Sequence, residues 1–299
     1  MARSWDTLRF FLTATSCQDH RMPRSDHANA AFDADALAVC EEAARAGGRV
    51  LTEWLDRFTA SAKAPGDLVT EADIASQKEI RRIVLGAFPS HGFVGEEAVA
   101  GHADAAGGDR PRWIVDPLDG TSNYVHGFPA YCTSVALAHG DELIVGAIYD
   151  PVHDECFTAR RGCGATCNGR PIGVSGEADV GEALVAVSFP PRVSPQAQAV
   201  ADFLAVAPHV HAVRRTGSTA INLAYLACGR LDAFWVRRIA SWDVAAGLLI
   251  ASEAGATIGP FVGGDAAAAM SLERPSFVAA GSAALFLSLQ RLLGPGDAS

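Results

Sequence analysis

The segment Trp113-Ile114-Val115-Asp116-Pro117-Leu118-Asp119-Gly120-Thr121-Ser122-Asn123-Tyr124 joins a short apolar run to a proline, two aspartates and a glycine. Trp113, Ile114 and Val115 read as a buried strand, and Pro117 fixes a turn just past its end. Asp116 and Asp119 are thereby presented together at the carboxyl end of that strand. Two carboxylates so placed repel each other unless a cation lies between them. Gly120 and Thr121 suit the opening of a helix whose free amides hold a phosphate. Acidic ligands beside an anion cradle are what metal-assisted phosphoryl hydrolysis needs. The same residues also suit an ordinary turn in which the aspartates cap backbone amides.

Three more acidic segments flank this one. Glu96 and Glu97 follow Phe93-Val94-Gly95 at the end of an extended piece, as ligands or as an exposed charged loop. Oxygen donors without nearby His or Cys favour a hard ion, Mg²⁺ ahead of zinc. Thr70 and Asp73 form a capping box with Asp in the usual Glu position, and Asp73 also suits a proton acceptor, directly or through Thr121. Ser241-Trp242-Asp243 opens a helix closed by Glu253-Ala254-Gly255, with Ser241 as its expected N-cap and Asp243 in its first turn. Gly217 and Ser218 start another helix, either toward a ligand or as a plain cap. Arg214-Arg215 and Arg237-Arg238 read as short solvated pairs, the second just ahead of Asp243.

The pattern around these segments is α/β. A long helix is expected from Ala34 to Phe58, with Gly47 and Gly48 as a weak point, and a second from Thr70 to Pro89. Residues 133 to 150 read as two strands around His139-Gly140-Asp141, with further strands at 154–159, 172–174 and 183–188. From Ser194 onward helix and strand alternate, which predicts a second α/β lobe. The expected organisation is an arm over 1–33, in which Met22 is an alternative start, an α+β lobe over 34–180 with most of the ligands, and an α/β lobe over 181–299.

Composition supports a folded protein. Of the 299 residues, 49% are hydrophobic and 19% charged, and 24 Lys plus Arg against 34 Asp plus Glu leave a formal charge of −10. That balance argues against nucleic-acid and membrane-surface binding. No apolar run has the length of a membrane span. Seven cysteines without a C-x-x-C pair fit a reduced, cytoplasmic setting. Arg3 and Arg9 precede Phe10-Phe11-Leu12, but Thr13, Thr15 and Ser16 break the stretch, which argues against a secretory leader.

Taken together and in order, the segments Asp67-x-Val69-Thr70-x-x-Asp73, Gly95-Glu96-Glu97, Trp113 to Tyr124, and Trp242-Asp243-x-Ala245-Ala246-Gly247 ahead of Glu253-Ala254-Gly255 resemble the inositol monophosphatase family of Mg²⁺-dependent, lithium-sensitive phosphatases. The resemblance covers residues 35 to 290. It implies a layered αβαβα fold with the site between two lobes, and commonly a homodimer. By motif, Glu96, Asp116 and the Leu118 carbonyl would hold one Mg²⁺, and Asp116, Asp119 and Asp243 a second, with a third, weaker ion near Glu96 and Asp73. Gly120 and Thr121 would bind the phosphate, with Asp119, Gly217, Ser218 and Asp243 as further substrate contacts. Asp73, Thr121 and Glu96 would serve the catalytic step, in-line attack of a metal-activated water on a phosphomonoester.

One position departs from the family pattern. Members acting on inositol monophosphate usually carry a glutamate seven residues before the last metal-binding aspartate, and here that residue is Val236. Arg237 and Arg238 beside it reverse the local charge. The expected substrate is a small phosphorylated metabolite, inositol monophosphate first. Histidinol phosphate, a sugar phosphate or adenosine 3′,5′-bisphosphate is the alternative, and a binding or regulatory protein on the same fold is the non-enzyme reading.

Overall fold

In a computed structural model, residues 24–64, 67–97, 110–189, 192–262, 272–273 and 275–294 are described, with side chains of the first helix from residue 32 onward. The elements run α1 (Arg24–Trp54), β1 (Ala60–Ala64), β2 (Asp67–Thr70), α2 (Glu71–Ala87), β3 (Gly92–Gly95), β4 (Arg112–Asp119) and the short α3 (Thr121–Val125). There follow β5 (Cys132–His139), β6 (Glu142–Asp150), β7 (Glu155–Arg160), β8 (Ala165–Cys167), β9 (Arg170–Pro171), β10 (Leu184–Ser188), α4 (Gln198–Val206) and β11 (Ala212–Arg214). The chain continues with α5 (Thr219–Ala227), β12 (Ala233–Val236), α6 (Ser241–Glu253), β13 (Thr257–Gly259), β14 (Phe277–Ala280) and α7 (Ala283–Leu293).

Two sheets carry the architecture, one of seven strands in the order β3-β4-β5-β6-β7-β8-β9 and one of five in the order β11-β10-β12-β14-β13. Strand alternation sorts their side chains into layers. Trp113, Val115, Val135, Leu137 and Val145 meet Cys40, Ala43, Ile80 and Val84 of α1 and α2 on one face of the large sheet. Ile114, Ala136, Ile148 and Phe157 on its other face meet Leu223, Ala224, Ala245 and Leu248 of α5 and α6. Those two helices also cover Phe234, Phe277 and Ala279 of the small sheet, whose opposite face packs Val185, Trp235 and Val278 against Leu285 and Leu289 of α7. The result is the expected αβαβα sandwich, with α5 and α6 as the central layer.

Several local expectations change. The first helix begins at Arg24, so it takes in the last ten residues of the segment read as an arm; residues 1–23 and Met22 lie outside the described residues. Gly47 and Gly48 are contact points and do not weaken α1: a Cβ on Gly47 would lie 2.7 Å from the Ile80 side chain, and one on Gly48 would strike the Tyr149 ring. Residues 172–174 are not a strand, and the short hairpin β1–β2 ahead of α2, together with β13, went unread. Short edge strands carry too few residues for a period to show.

Candidate active site

The acidic residues meet because β4 is irregular at its end. In a regular strand, residues three apart point to opposite faces. Here Asp116 pairs with Ser134 but Asp119 pairs with Cys132, so a bulge at Pro117-Leu118 brings Asp119 back to the side of Asp116. That side faces α6, whose first turn supplies Asp243. One oxygen each from Asp116, Asp119 and Asp243 lies within 4.8 Å of the others. The parallel pairing of Gly95 with Val115 places Glu96 next to Asp116, its amide donating to the Val115 carbonyl at 3.1 Å. Glu97 turns inward, where Gln77 grips its backbone through both amide atoms. Asp116 Oδ1 accepts from the Leu118 amide at 2.9 Å.

Asp119 is held from the other half of the chain. Its Oδ2 accepts from the Ser218 hydroxyl at 2.7 Å and from the Ala220 amide at 2.6 Å. Ser218 is fully buried, and its oxygen also caps α5 by accepting from the Ile221 amide at 3.2 Å. It therefore does not reach the cleft, and its expected role as a substrate contact is corrected to one of positioning Asp119. Gly217 does line the cleft. It has φ +90°, and a Cβ there would meet the Asn123 side chain at 2.8 Å. Asn123 needs that space because its Nδ2 donates to the carbonyls of Ala130 and Thr216, tying α3 to the loop before α5.

Thr121 stands between two acceptors, with Oγ1 3.3 Å from Asp73 Oδ1 and 3.1 Å from the Leu118 carbonyl. A hydroxyl has one proton, so either bond leaves Thr121 lone pairs to accept from a water. Asp73 is fully buried and keeps its capping duty, its Oδ2 accepting from the Thr70 amide at 2.8 Å and the Thr70 hydroxyl at 2.5 Å. The two readings of Asp73 coincide in one carboxylate. Gly120 precedes Thr121 with φ +97°, and a Cβ would lie 2.8 Å from the Ala130 carbonyl, so only glycine fits this turn. The N-cap of α6 is Ala240, without a side-chain cap, and Ser241 is its first helical residue, a correction to the expected cap.

Burial and mutual repulsion raise the three aspartates. Loss of water, then the charges of Glu96, Asp119 and Asp243, hold Asp116 well above the usual carboxylate range. Asp243 is pushed up to about 8 by burial and by Asp119 and Glu96. Asp119 reaches about 6, burial being offset by the Ser218 hydroxyl and the Ala220 amide. Acidic oxygens gathered at this cost fit a hard divalent cation.

The trio opens into a cleft of about 370 Å³ lined by Asp119, Gly120, Thr121 and Asp243 together with Val236 and Arg215. Val236 is buried, and the charge beside it is not arranged as the sequence implied. Arg237 is not solvated: its guanidinium, 6% exposed, pairs with buried Asp202 at 2.5 Å and lies over the Phe261 ring at 3.8 Å. Its charge is neutralised there, which leaves exposed Arg215 and Arg238 on the cleft. Arg214 and Arg215 are both exposed, as a solvated pair would be, and Arg215 also lines the cleft beside Phe189. The available signal was their place at the carboxyl ends of expected strands.

Comparison with known proteins agrees with this geometry. The family model described as "Inositol monophosphatase family" matches residues 33–290. Inositol monophosphatase 2 of Solanum lycopersicum is 41% identical over 232 residues, 74% of this chain and 85% of that protein. The Nus factor SuhB of Xylella fastidiosa is 38% identical over 235 residues, 77% of this chain and 84% of that protein. The solved inositol monophosphatase of Anabaena superposes with a TM-score of 0.74 at 34% identity, covering 87% of this chain and 95% of that one. The chain belongs to the inositol monophosphatase family, and it is an enzyme of that type, a phosphoric monoester hydrolase.

Proposed function

We propose that the chain hydrolyses a small phosphorylated metabolite with the help of two to three Mg²⁺ ions, using water as the nucleophile. The observation that carries this reading is the meeting of Asp116, Asp119 and Asp243 beside the Thr121–Asp73 pair in one cleft. Asp116, Asp119 and Asp243 would hold one ion, and Glu96, Asp116 and the Leu118 carbonyl another, with Glu96 and Asp73 near a third. When bound, such ions supply the positive charge that neutralises the carboxylates and polarises the phosphate ester.

The chain's own groups do the rest. The Gly120-Thr121 turn presents backbone amides to the phosphate, where their dipoles meet its charge. Thr121 Oγ1 accepts a hydrogen bond from the attacking water, and Asp73 Oδ1 is positioned to take the proton passed through that hydroxyl. Ser218 keeps Asp119 aimed into the trio, and Asp243 enters from the first turn of α6. Among the described residues that line the cleft there is no Cys or His to act as a nucleophile, and Thr121 is engaged with Asp73 and the Leu118 carbonyl, which supports direct displacement by water.

For the ester itself, the names of the relatives put inositol monophosphate first, with histidinol phosphate, sugar phosphates and adenosine 3′,5′-bisphosphate as alternatives. The same family membership supports a homodimer, lithium sensitivity and a cytoplasmic location. Among the described residues no helix is long and apolar enough to cross a membrane. The Xylella relative named a Nus factor supports a second reading, a regulatory or binding role on the same fold. Phosphate release with Mg²⁺ across inositol-1-phosphate, histidinol phosphate, fructose-1,6-bisphosphate, adenosine 3′,5′-bisphosphate and glycerol-2-phosphate separates them. Release from one ester that Asp119→Asn abolishes supports the phosphatase; silence across the panel transfers the weight to the binding role.

A further inference from the structure

Beyond the acidic trio, the cleft is built on the carboxyl ends of neighbouring parallel strands. β10 pairs in parallel with both β11 and β12, with Ala186 opposite Arg214 and Ser188 opposite Val236. Open parallel arrays bind ligands at that end. Phe189, Arg215 and Val236 to Ile239 come directly off these strand ends, and all line the cleft.

Arg215 differs from Arg237 on this wall. Its guanidinium lies over the Phe189 ring, 5.9 Å from the centroid, and Nη2 donates to the Phe189 carbonyl at 3.1 Å. Both partners are neutral, and among the described residues no carboxylate pairs with it, whereas nearby Arg237 is matched by Asp202. An exposed cation is thus fixed in place, with its full charge, in a protein whose formal charge is −10. A guanidinium held by a ring and a carbonyl loses little freedom on taking an anion, and its remaining N–H groups form a fork for carboxylate or phosphate. Val236 and Ile239 on this wall are apolar and offer no side-chain donor or acceptor to a polyol hydroxyl.

We infer that Arg215 is an anion-binding subsite for the leaving group, so that the ester carries a second negative group joined to its phosphate by an apolar or flat spacer. The inference narrows the phosphatase reading, on which it rests for the place of the first phosphate, and it disfavours neutral polyol and cationic leaving groups.

The test is titration calorimetry of the Mg²⁺-loaded protein with 4-phosphonobutyrate and 6-phosphonohexanoate against butylphosphonate and hexylphosphonate. Each pair differs by a carboxylate, and none has a hydrolysable ester, so binding is read without turnover. The wild type should bind at least one carboxylated member about tenfold more tightly than its partner. Arg215→Ala should bring that ratio to about one, and Arg215→Lys should retain part of it as a point charge. Equal affinities in the wild type, or a ratio that survives Arg215→Ala, would overturn the inference. An intact ratio without phosphate release from any ester would instead defeat the phosphatase reading and leave the subsite standing.

Discussion

Stripping the metal should make this protein less stable as pH rises, because the acidic trio is then unneutralised. A carboxyl whose pKa is raised by folding binds its proton more tightly in the native state, so native stability is kept at low pH and lost as pH climbs through the folded value. For Asp243, moved from 3.8 to about 8, the loss between pH 5 and pH 8.5 is about 4 kcal/mol. Asp119 feels part of the same repulsion, so adding its share would count one interaction twice. At about 2 °C per kcal/mol for a chain of this size, the melting temperature should fall by about 8 °C. The assay is differential scanning fluorimetry of chelator-treated protein at pH 5.0 and 8.5 and matched ionic strength, with Asp243→Asn as reference. The wild type should lose about 8 °C more than Asp243→Asn across that interval, and Mg²⁺ should restore the wild type at pH 8.5 while doing little at pH 5.0. Parallel slopes in the two proteins, or equal stabilisation by Mg²⁺ at both pH values, would refute the electrostatic account of the site.

Replacing Asp119 by Asn should lower phosphate release by at least about a hundredfold, since one charge of the trio is lost while the shape is kept; colorimetric phosphate assay at saturating Mg²⁺ reads it. Ser218→Ala removes the hydroxyl that lowers Asp119 and the cap on α5, so stability should fall by about 1 to 2 kcal/mol in denaturant titration. Its pH midpoint for Mg²⁺ activation should move up relative to wild type, a shift that a helix cap alone does not produce. Asp202→Asn leaves Arg237 buried against an uncharged partner and should cost about 3 kcal/mol or more, measured the same way. Val236→Glu should raise turnover of inositol-1-phosphate relative to glycerol-2-phosphate; an unchanged ratio in steady-state kinetics would show that position 236 does not govern recognition of the polyol.

The layers of the fold were legible wherever an element is long and one-sided. The 3.6-residue stripe of α2 and its Thr70–Asp73 cap are local facts of the sequence, and the helix runs accordingly from Glu71 to Ala87. The two strands around Gly140 are equally local, since an antiparallel hairpin needs only its own turn. What escaped was set by distant partners. Gly47 and Gly48 weaken a helix by propensity, yet in this chain they are the places where α1 touches Ile80 and Tyr149, and no local window contains that information.

The site divides along the same line. Asp116, Asp119, Gly120 and Thr121 sit in one short segment, so a strand, a proline and a glycine suffice to foresee their meeting. Glu96 and Asp243 join them through a parallel pairing and a helix start, each of which follows a readable apolar run. Ser218 and Arg237 depart from their local reading for a common reason: a side chain's role depends on which distant partner finds it. Ser218 is taken by Asp119 from the other half of the chain, and Arg237 by Asp202 on α4. Once those pairs are removed from the cleft, Arg215 is held by a ring and a carbonyl and, among the described residues, by no carboxylate, and the specificity question passes from the missing glutamate to this cation.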